Sequence, residues 1–474
     1  MKTIAYSVLT GVMALSAVCA KQDRPNILFI MTDDQAAWTT GYSGNKQAMT
    51  PALDSFREEA ASLPNTFVNS PVCSPSRATL MTSRYPSEVK IMEYSHNPLS
   101  PEFETWPRLL QKNGYHTGLI GKWHLGGGES HPTKLGYDYF MGLLGGGCSP
   151  VNPPLEVDGK KIKVKGFMLD ILTEDAMKFI ENRPKDKPFM LSLHYRAPHG
   201  AYLPVRDEIW DKVKDKAYAL PDFPKLKPNL EKMMRGYLAS VSHYDWNFGR
   251  LMKKLDELGL RENTVVIVTS DHGYNIGHHG ATHKGNGDWG SELPRSYHHK
   301  NLDKLPGKKM PNMWDTSLSP PHLIRWPETV KPNSTIRQEI NFIDFFPTLC
   351  AMAGTQIPQG TVVRGKSFLP LLDGSQGDEE WNNPLLIQHD THLTYVLRGY
   401  RTKKWKIVTS YSHNYGFLYD LEKDPGETKN LYENPEYKQV RERLTKEMES
   451  KMKAVGDPLF LPGEYPFTKK RKKK

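Results

Sequence analysis

The segment Pro25-Asn26-Ile27-Leu28-Phe29-Ile30-Met31-Thr32-Asp33-Asp34-Gln35 decides how the chain is built. Its apolar run has the length of a strand and does not alternate, the pattern of a central parallel strand buried on both faces. It ends in two adjacent carboxylates, which are costly there unless something neutralises them. One aspartate capping the next helix would account for one carboxylate and leave the other unexplained. A second run, Thr264-Val265-Val266-Ile267-Val268-Thr269, repeats the pattern far along the chain and closes in Ser270-Asp271-His272-Gly273. Both runs are predicted to finish at the same edge, the carboxyl edge where open α/β sheets bind ligands. Asp33, Asp34, Asp271 and His272 then form a divalent-cation site, and oxygen ligands of this hardness favour calcium or magnesium over zinc.

Two more strand ends carry chemistry. Tyr115–Ile120 reads as a short strand that runs into Gly121-Lys122-Trp123-His124-Leu125-Gly126. Lys122 and His124 are two apart on extended chain, so their side chains point the same way. Pro188–Leu193 is the next strand and ends in His194-Tyr195-Arg196-Ala197-Pro198-His199. Between these elements lies Val72-Cys73-Ser74-Pro75-Ser76-Arg77, which places a thiol before a proline-fixed turn and a helical run. At a helix N-terminus beside Arg77 such a thiol is acidified, whereas a lone cysteine is ordinarily a buried structural residue. Farther on, Gly277–Gly287 contains Lys284 and three histidines, His278, His279 and His283. The carboxylates already define a hard-ion site, which outweighs reading those histidines as transition-metal ligands.

The form Cys73-x-Pro75-x-Arg77, followed by Thr82-Ser83-Arg84-Tyr85-Pro86, resembles the signature of the formylglycine-dependent sulfatases of the alkaline phosphatase superfamily. The block around Gly121–Gly126, the Ala197-Pro198-His199 histidine, and Leu418–Pro425 near the end are similar to further family signatures, so the likeness covers essentially the whole chain after its leader. Ser83 departs from the family's glycine, His283 replaces the glycine before Lys284, and His272 stands where some relatives have asparagine. The resemblance to bacterial glycan sulfatases implies that Cys73 is oxidised by a maturing enzyme to formylglycine. It implies calcium on Asp33, Asp34, Asp271 and His272, with the residue-73 oxygen as a further ligand and magnesium the lesser alternative. It further implies that Lys122 and Arg77 hold the hydrated aldehyde, that His124 is the base regenerating it, and that His199, with Lys284, protonates the leaving alcohol. Lys308 and Lys309 are the fallback for the second site lysine.

The fold so implied is α/β and alkaline-phosphatase-like. It comprises a large, mixed, mostly parallel sheet flanked by helices, and a smaller C-terminal α+β domain with an antiparallel sheet. The 474 residues suit that size. Residues 1–20 read as a signal peptide cleaved after Ala20, 21–375 as the catalytic domain, and 376–474 as the smaller domain with its basic tail. The expected location is therefore periplasmic or extracellular. No other stretch is long and apolar enough to cross a membrane. Cys148 and Cys350 are too few for a disulfide scaffold and are expected to be unpaired. A net charge of +10 is mild for this length and suits an anionic substrate, not nucleic acid, since no basic-aromatic interleaving is present. A sulfated saccharide is the preferred substrate, with Trp289 a candidate sugar platform. The alternatives are a phosphomonoester or phosphonate hydrolase on the same fold, and a glycan-binding protein in which Cys73 stays a thiol.

Overall fold

The computed structural model describes residues 24–93, 97–221, 227–286, 311–377, 381–391, 395–413 and 415–461. The leader, Trp289, Lys308, Lys309 and the basic tail lie outside them. In chain order the strands are β1 (Asn26–Asp33), β2 (Ala61–Ser62), β3 (Thr66–Phe67), β4 (His116–Lys122), β5 (Tyr139–Leu143), β6 (Pro154–Val157), β7 (Lys160–Lys163) and β8 (Phe189–Pro198). They continue with β9 (Thr264–Ser270), β10 (Leu323–Arg325), β11 (Ile340–Asn341), β12 (Leu385–Thr391), β13 (Tyr395–Arg401), β14 (Trp405–Ser410) and β15 (Tyr415–Asp420).

A nine-stranded sheet has the order β2-β10-β9-β1-β8-β4-β5-β6-β7. Its central strands β9, β1, β8, β4 and β5 run parallel, and both rims are antiparallel. The unbroken apolar run of β1 is explained by its place in the middle. Ile27, Phe29 and Met31 face one core with α2 (Cys73–Thr82) and α3 (Trp106–Lys112). Leu28 and Ile30 face a second core with α1 (Pro51–Glu59), α4 (Met168–Glu181) and the long helix Lys227–Glu257. Period-two alternation thus feeds two apolar layers instead of one. Gly121 permits the close approach of β4 to β8, because a Cβ there would fall 1.9 Å from the His194 carbonyl oxygen. Asp158-Gly159, both at positive φ (46° and 88°), turn β6 into β7, as a two-residue hairpin loop requires.

The antiparallel sheet β12-β13-β14-β15 follows, with the helix Lys438–Ala454 packed on it through Leu444, Met448 and Met452. Leu385, Ile387, Leu397, Phe417 and Tyr419 of this sheet belong to the same core as Phe29 and Trp106. Asp315–Leu318 form a short helix although the segment is only four residues long. The reason is tertiary: Glu427 accepts the Asp315 N–H, and Lys406 and Arg401 take the Asp315 carboxylate. Cys73, Cys148 and Cys350 are free thiols.

Candidate active site

Four parallel strands deliver their C-terminal ends to one place. β1 supplies Asp33 and Asp34, β4 supplies Lys122, β8 leads to His199, and β9 leads to Asp271 and His272. Cys73 is the first residue of α2 and is 2% exposed; every residue of that helix is buried. Lys284 Nζ lies 3.1 Å from Cys73 Sγ and 2.7 Å from Asp34 Oδ1. Lys122 is fully buried and ion-paired to Asp33 Oδ2. Arg77 donates through Nε to Asp271 Oδ2 at 2.9 Å and through Nη1 to the Lys122 carbonyl at 2.8 Å.

His124 sits at φ 63° beside Cys73. Gly146 lets the loop after β5 lie against its ring, since a Cβ there would come within 2.6 Å of the imidazole. His199 is a quarter exposed, with Nε2 3.9 Å from Asp34 Oδ2 and Nδ1 2.8 Å from the Gly200 carbonyl. The structure therefore gathers Cys73, Arg77, Lys122, His124, His199, Lys284, Asp33, Asp34, Asp271 and His272 around one pocket. The three histidines of the 277–287 stretch part company. His278 packs at a tilt against Trp38, His279 stacks on Trp314, and His283 lies near Tyr274.

Charge dominates this pocket. Burial works to raise the Asp33 carboxyl, but Lys122, His199, Lys284 and Arg77 outweigh it and hold it well below the usual range. The same contest lowers Asp34, chiefly through Lys284. Burial and the Asp33 charge push Asp271 up to about 6 against Arg77 and His272. Burial also acts on the Cys73 thiol, yet Lys122 and Lys284 bring it well below its ordinary value. Burial depresses His124, and it depresses His199 in spite of Asp34 and Asp33.

The donor set fits a hard cation. Ligand atoms of Asp33, Asp34, Cys73 and His272 all lie within 4.8 Å of one another. Asp33 Oδ1 and His272 Nε2 are buried with no hydrogen-bond partner among the described residues. His272 Nδ1 meets the Gly273 carbonyl at 2.8 Å and Nε2 lies 3.2 Å from Asp34 Oδ1; against burial, the Asp271 and Asp34 charges push the ring up to about 9. Asp271 Oδ1 stands 3.4 Å from that nitrogen, at the wall of the cluster.

Sequence reading missed Arg196, which hydrogen-bonds the Gly200 and Ala201 carbonyls and so fixes the turn that carries His199. Its signal was an arginine at the end of a buried strand. It also missed Gly146, whose role exists only because a distant loop folds over His124.

Fold and site together define an α/β protein with a buried cysteine at a helix N-terminus, acidic strand ends beside it, and lysine and arginine side chains paired with those carboxylates. The family model described as Sulfatase matches residues 25–355, and the chain belongs to the sulfatase family; it is a sulfuric ester hydrolase. A second family model, N-sulphoglucosamine sulphohydrolase, C-terminal, matches residues 307–454. An N-acetylglucosamine-6-O-sulfatase of Bacteroides thetaiotaomicron is 27% identical, over 96% of this chain and 92% of its own. An ulvan-active sulfatase of Formosa agariphila is 27% identical, over 92% of this chain and 82% of its own. A protein solved with its substrate D-glucosamine-2-N,6-O-disulfate superposes with a TM-score of 0.74 at 24% identity, over 94% of this chain and 100% of that one.

Proposed function

We propose that the protein hydrolyses sulfate monoesters on a sulfated carbohydrate, using a formylglycine made from Cys73 and a calcium ion held by Asp33, Asp34, Asp271 and His272. The names of the relatives support the carbohydrate, and the paired Asp33 and Asp34 carboxylates in the donor cluster, with Asp271 at its wall, support calcium over a transition metal. When bound, calcium supplies positive charge against oxygen, and the formylglycine supplies an oxygen nucleophile in place of the thiol. Everything else falls to side chains of this chain. Lys122, Lys284 and Arg77 bring positive charge to the anionic ester and to the charge that grows on its leaving oxygen. Arg77 cross-links Asp271 to the Lys122 backbone, so two strand ends keep their spacing while charge moves. His199 donates to its own turn through Nδ1, so Nε2 faces Asp34 and, when the ring is the imidazolium that the Asp34 and Asp33 charges favour, gives its proton to the departing alcohol. His124 touches residue 73 and serves as the base on that side. The protein is read as exported after loss of residues 1–20, matured by a formylglycine-generating enzyme, and divided into catalytic (21–375) and smaller (376–474) domains. Among the described residues no helix is long and apolar enough to cross a membrane.

The observation that carries the reading is Cys73, buried at the start of α2 between Lys284, His124 and the acidic cluster. Mass spectrometry of the Cys73 peptide from protein co-produced with a maturing enzyme is expected to show the aldehyde. The same protein is expected to release sulfate from sulfated saccharides, and Cys73→Ala to abolish the release. An unmodified thiol in protein that still turns over, or sulfate release unaffected by Cys73→Ala, overturns it. Faster turnover of the phosphate ester than of the sulfate ester of one alcohol overturns the substrate class.

A further inference from the structure

We infer that Tyr237 is a positioning residue for the cation site, a clamp that sets the spacing between its two acidic strand ends. This inference rests on the calcium reading above. Tyr237 is fully buried on the helix Lys227–Glu257 and belongs to none of the motifs that point to the site. Its hydroxyl donates to the Asp34 carbonyl at 2.6 Å and accepts the Ala36 N–H at 3.1 Å. Between those two contacts the backbone does something unfavourable, because Asp34 sits at φ 65°, in the left-handed region that non-glycine residues avoid. That conformation directs the Asp34 carboxylate at Lys284 and His272 while its N–H meets Asp271 Oδ1 at 3.3 Å.

The ring of Tyr237 reaches the other half of the site. It stacks on Tyr274 with centroids 5.3 Å apart and an interplanar angle of 20°, and Tyr274 follows Asp271-His272-Gly273 on the second acidic loop. Trp38 and Tyr202 pack on the same ring at 5.7 and 5.5 Å, and the Tyr202 and Tyr274 hydroxyls meet at 3.0 Å. One side chain thus holds the loop after β1 by its hydroxyl and the loop after β9 by its face. Carboxylates crowded without a cation repel one another, so their spacing must be held by groups outside the cluster. Tyr237 does this from outside, with no atom in the ligand set.

Tyr237→Phe keeps the aromatic stack and removes only the hydroxyl. The control is Tyr244→Phe on the same helix, whose buried hydroxyl has no hydrogen-bond partner among the described residues. Protein freed of metal by chelation is titrated with calcium chloride, reading the thermal unfolding midpoint and, in parallel, kcat and KM. Tyr237→Phe is expected to need about tenfold more calcium for half-maximal stabilisation, with kcat recovering at saturating calcium. Tyr244→Phe is expected to match the parent. If Tyr237→Phe lowers the midpoint equally at every calcium concentration and leaves half-saturation unchanged, the residue is merely structural and the inference fails alone. If the parent protein does not respond to calcium at all, the cation reading fails and the clamp falls with it.

Discussion

Ser83, the residue that departs from the family's glycine, offers a sharp test of how the end of α2 is held. It caps α2 at φ 53°, ψ 32°, and its N–H returns to the Thr79 carbonyl. Glycine adopts that conformation freely; serine does so at a cost of about 1 kcal/mol. The structure shows what offsets the cost. Ser83 Oγ donates to the Ile343 carbonyl at 2.6 Å, a buried bond, and accepts the N–H of the half-buried Gly365 at 2.9 Å. Ser83→Ala keeps the left-handed conformation and loses both bonds, leaving the half-buried donor and the buried acceptor unpaired, for a destabilisation of about 2–4 kcal/mol. Ser83→Gly loses the same bonds but recovers the backbone term, for about 1–3 kcal/mol. Alanine is therefore expected to be worse than glycine by about 1 kcal/mol, although it is the closer replacement in size. Urea denaturation followed by circular dichroism measures both variants against the parent. If alanine proves equal to or better than glycine, the cap is not held in the way described. Should both variants lie within about 0.5 kcal/mol of the parent, the hydrogen bonds contribute nothing and the reasoning fails outright.

Other expectations follow from particular contacts. Lys406 is fully buried and paired with Asp315 at 2.8 Å and Glu427 at 2.7 Å, so Lys406→Met leaves Asp315 to Arg401 and the buried Glu427 without its cation, and is expected to cost about 3–5 kcal/mol by chemical denaturation. His322 is 2% exposed, and burial holds its ring at a pKa of about 3. Its folded value lies below its unfolded one, so its contribution is complete above about pH 6.5 and is lost as pH falls toward 3, by about 1.4 kcal/mol per unit. Stability measured from pH 7 to 4 should therefore fall less steeply in His322→Leu than in the parent. His199→Asn is expected to lower kcat by about 10²–10⁴ on unactivated sugar sulfates and far less on aryl sulfates with good leaving groups. An equal loss on both substrates would argue that His199 does not protonate the leaving oxygen.

Much of this protein is legible before any coordinates. The apolar runs at Ile27–Met31 and Val265–Val268 could only be central parallel strands, and the acidic residues at their ends marked the edge where chemistry gathers. Lys122 and His124 were visible because they stand between glycines at a strand end, and Cys73 and His199 because Cys73-x-Pro75-x-Arg77 and Ala197-Pro198-His199 resemble family signatures. These are local facts, since the offset between a strand and the residue after it survives whatever the rest of the chain does. Tertiary structure alone decided the others. Asp315 opens a four-residue helix that Glu427, Lys406 and Arg401, far along the chain, hold in place. Ser83 occupies a glycine's conformation because Ile343 and Gly365, far along the chain, supply its hydrogen bonds. Arg196, Gly146 and Tyr237 carry no local mark of their roles, since each acts on a backbone that folding brings to it. Periodicity reports which face of an element is apolar, so it places elements and their ends. It does not report which distant carbonyl or ring will meet a given side chain, and that meeting sets the geometry of the site.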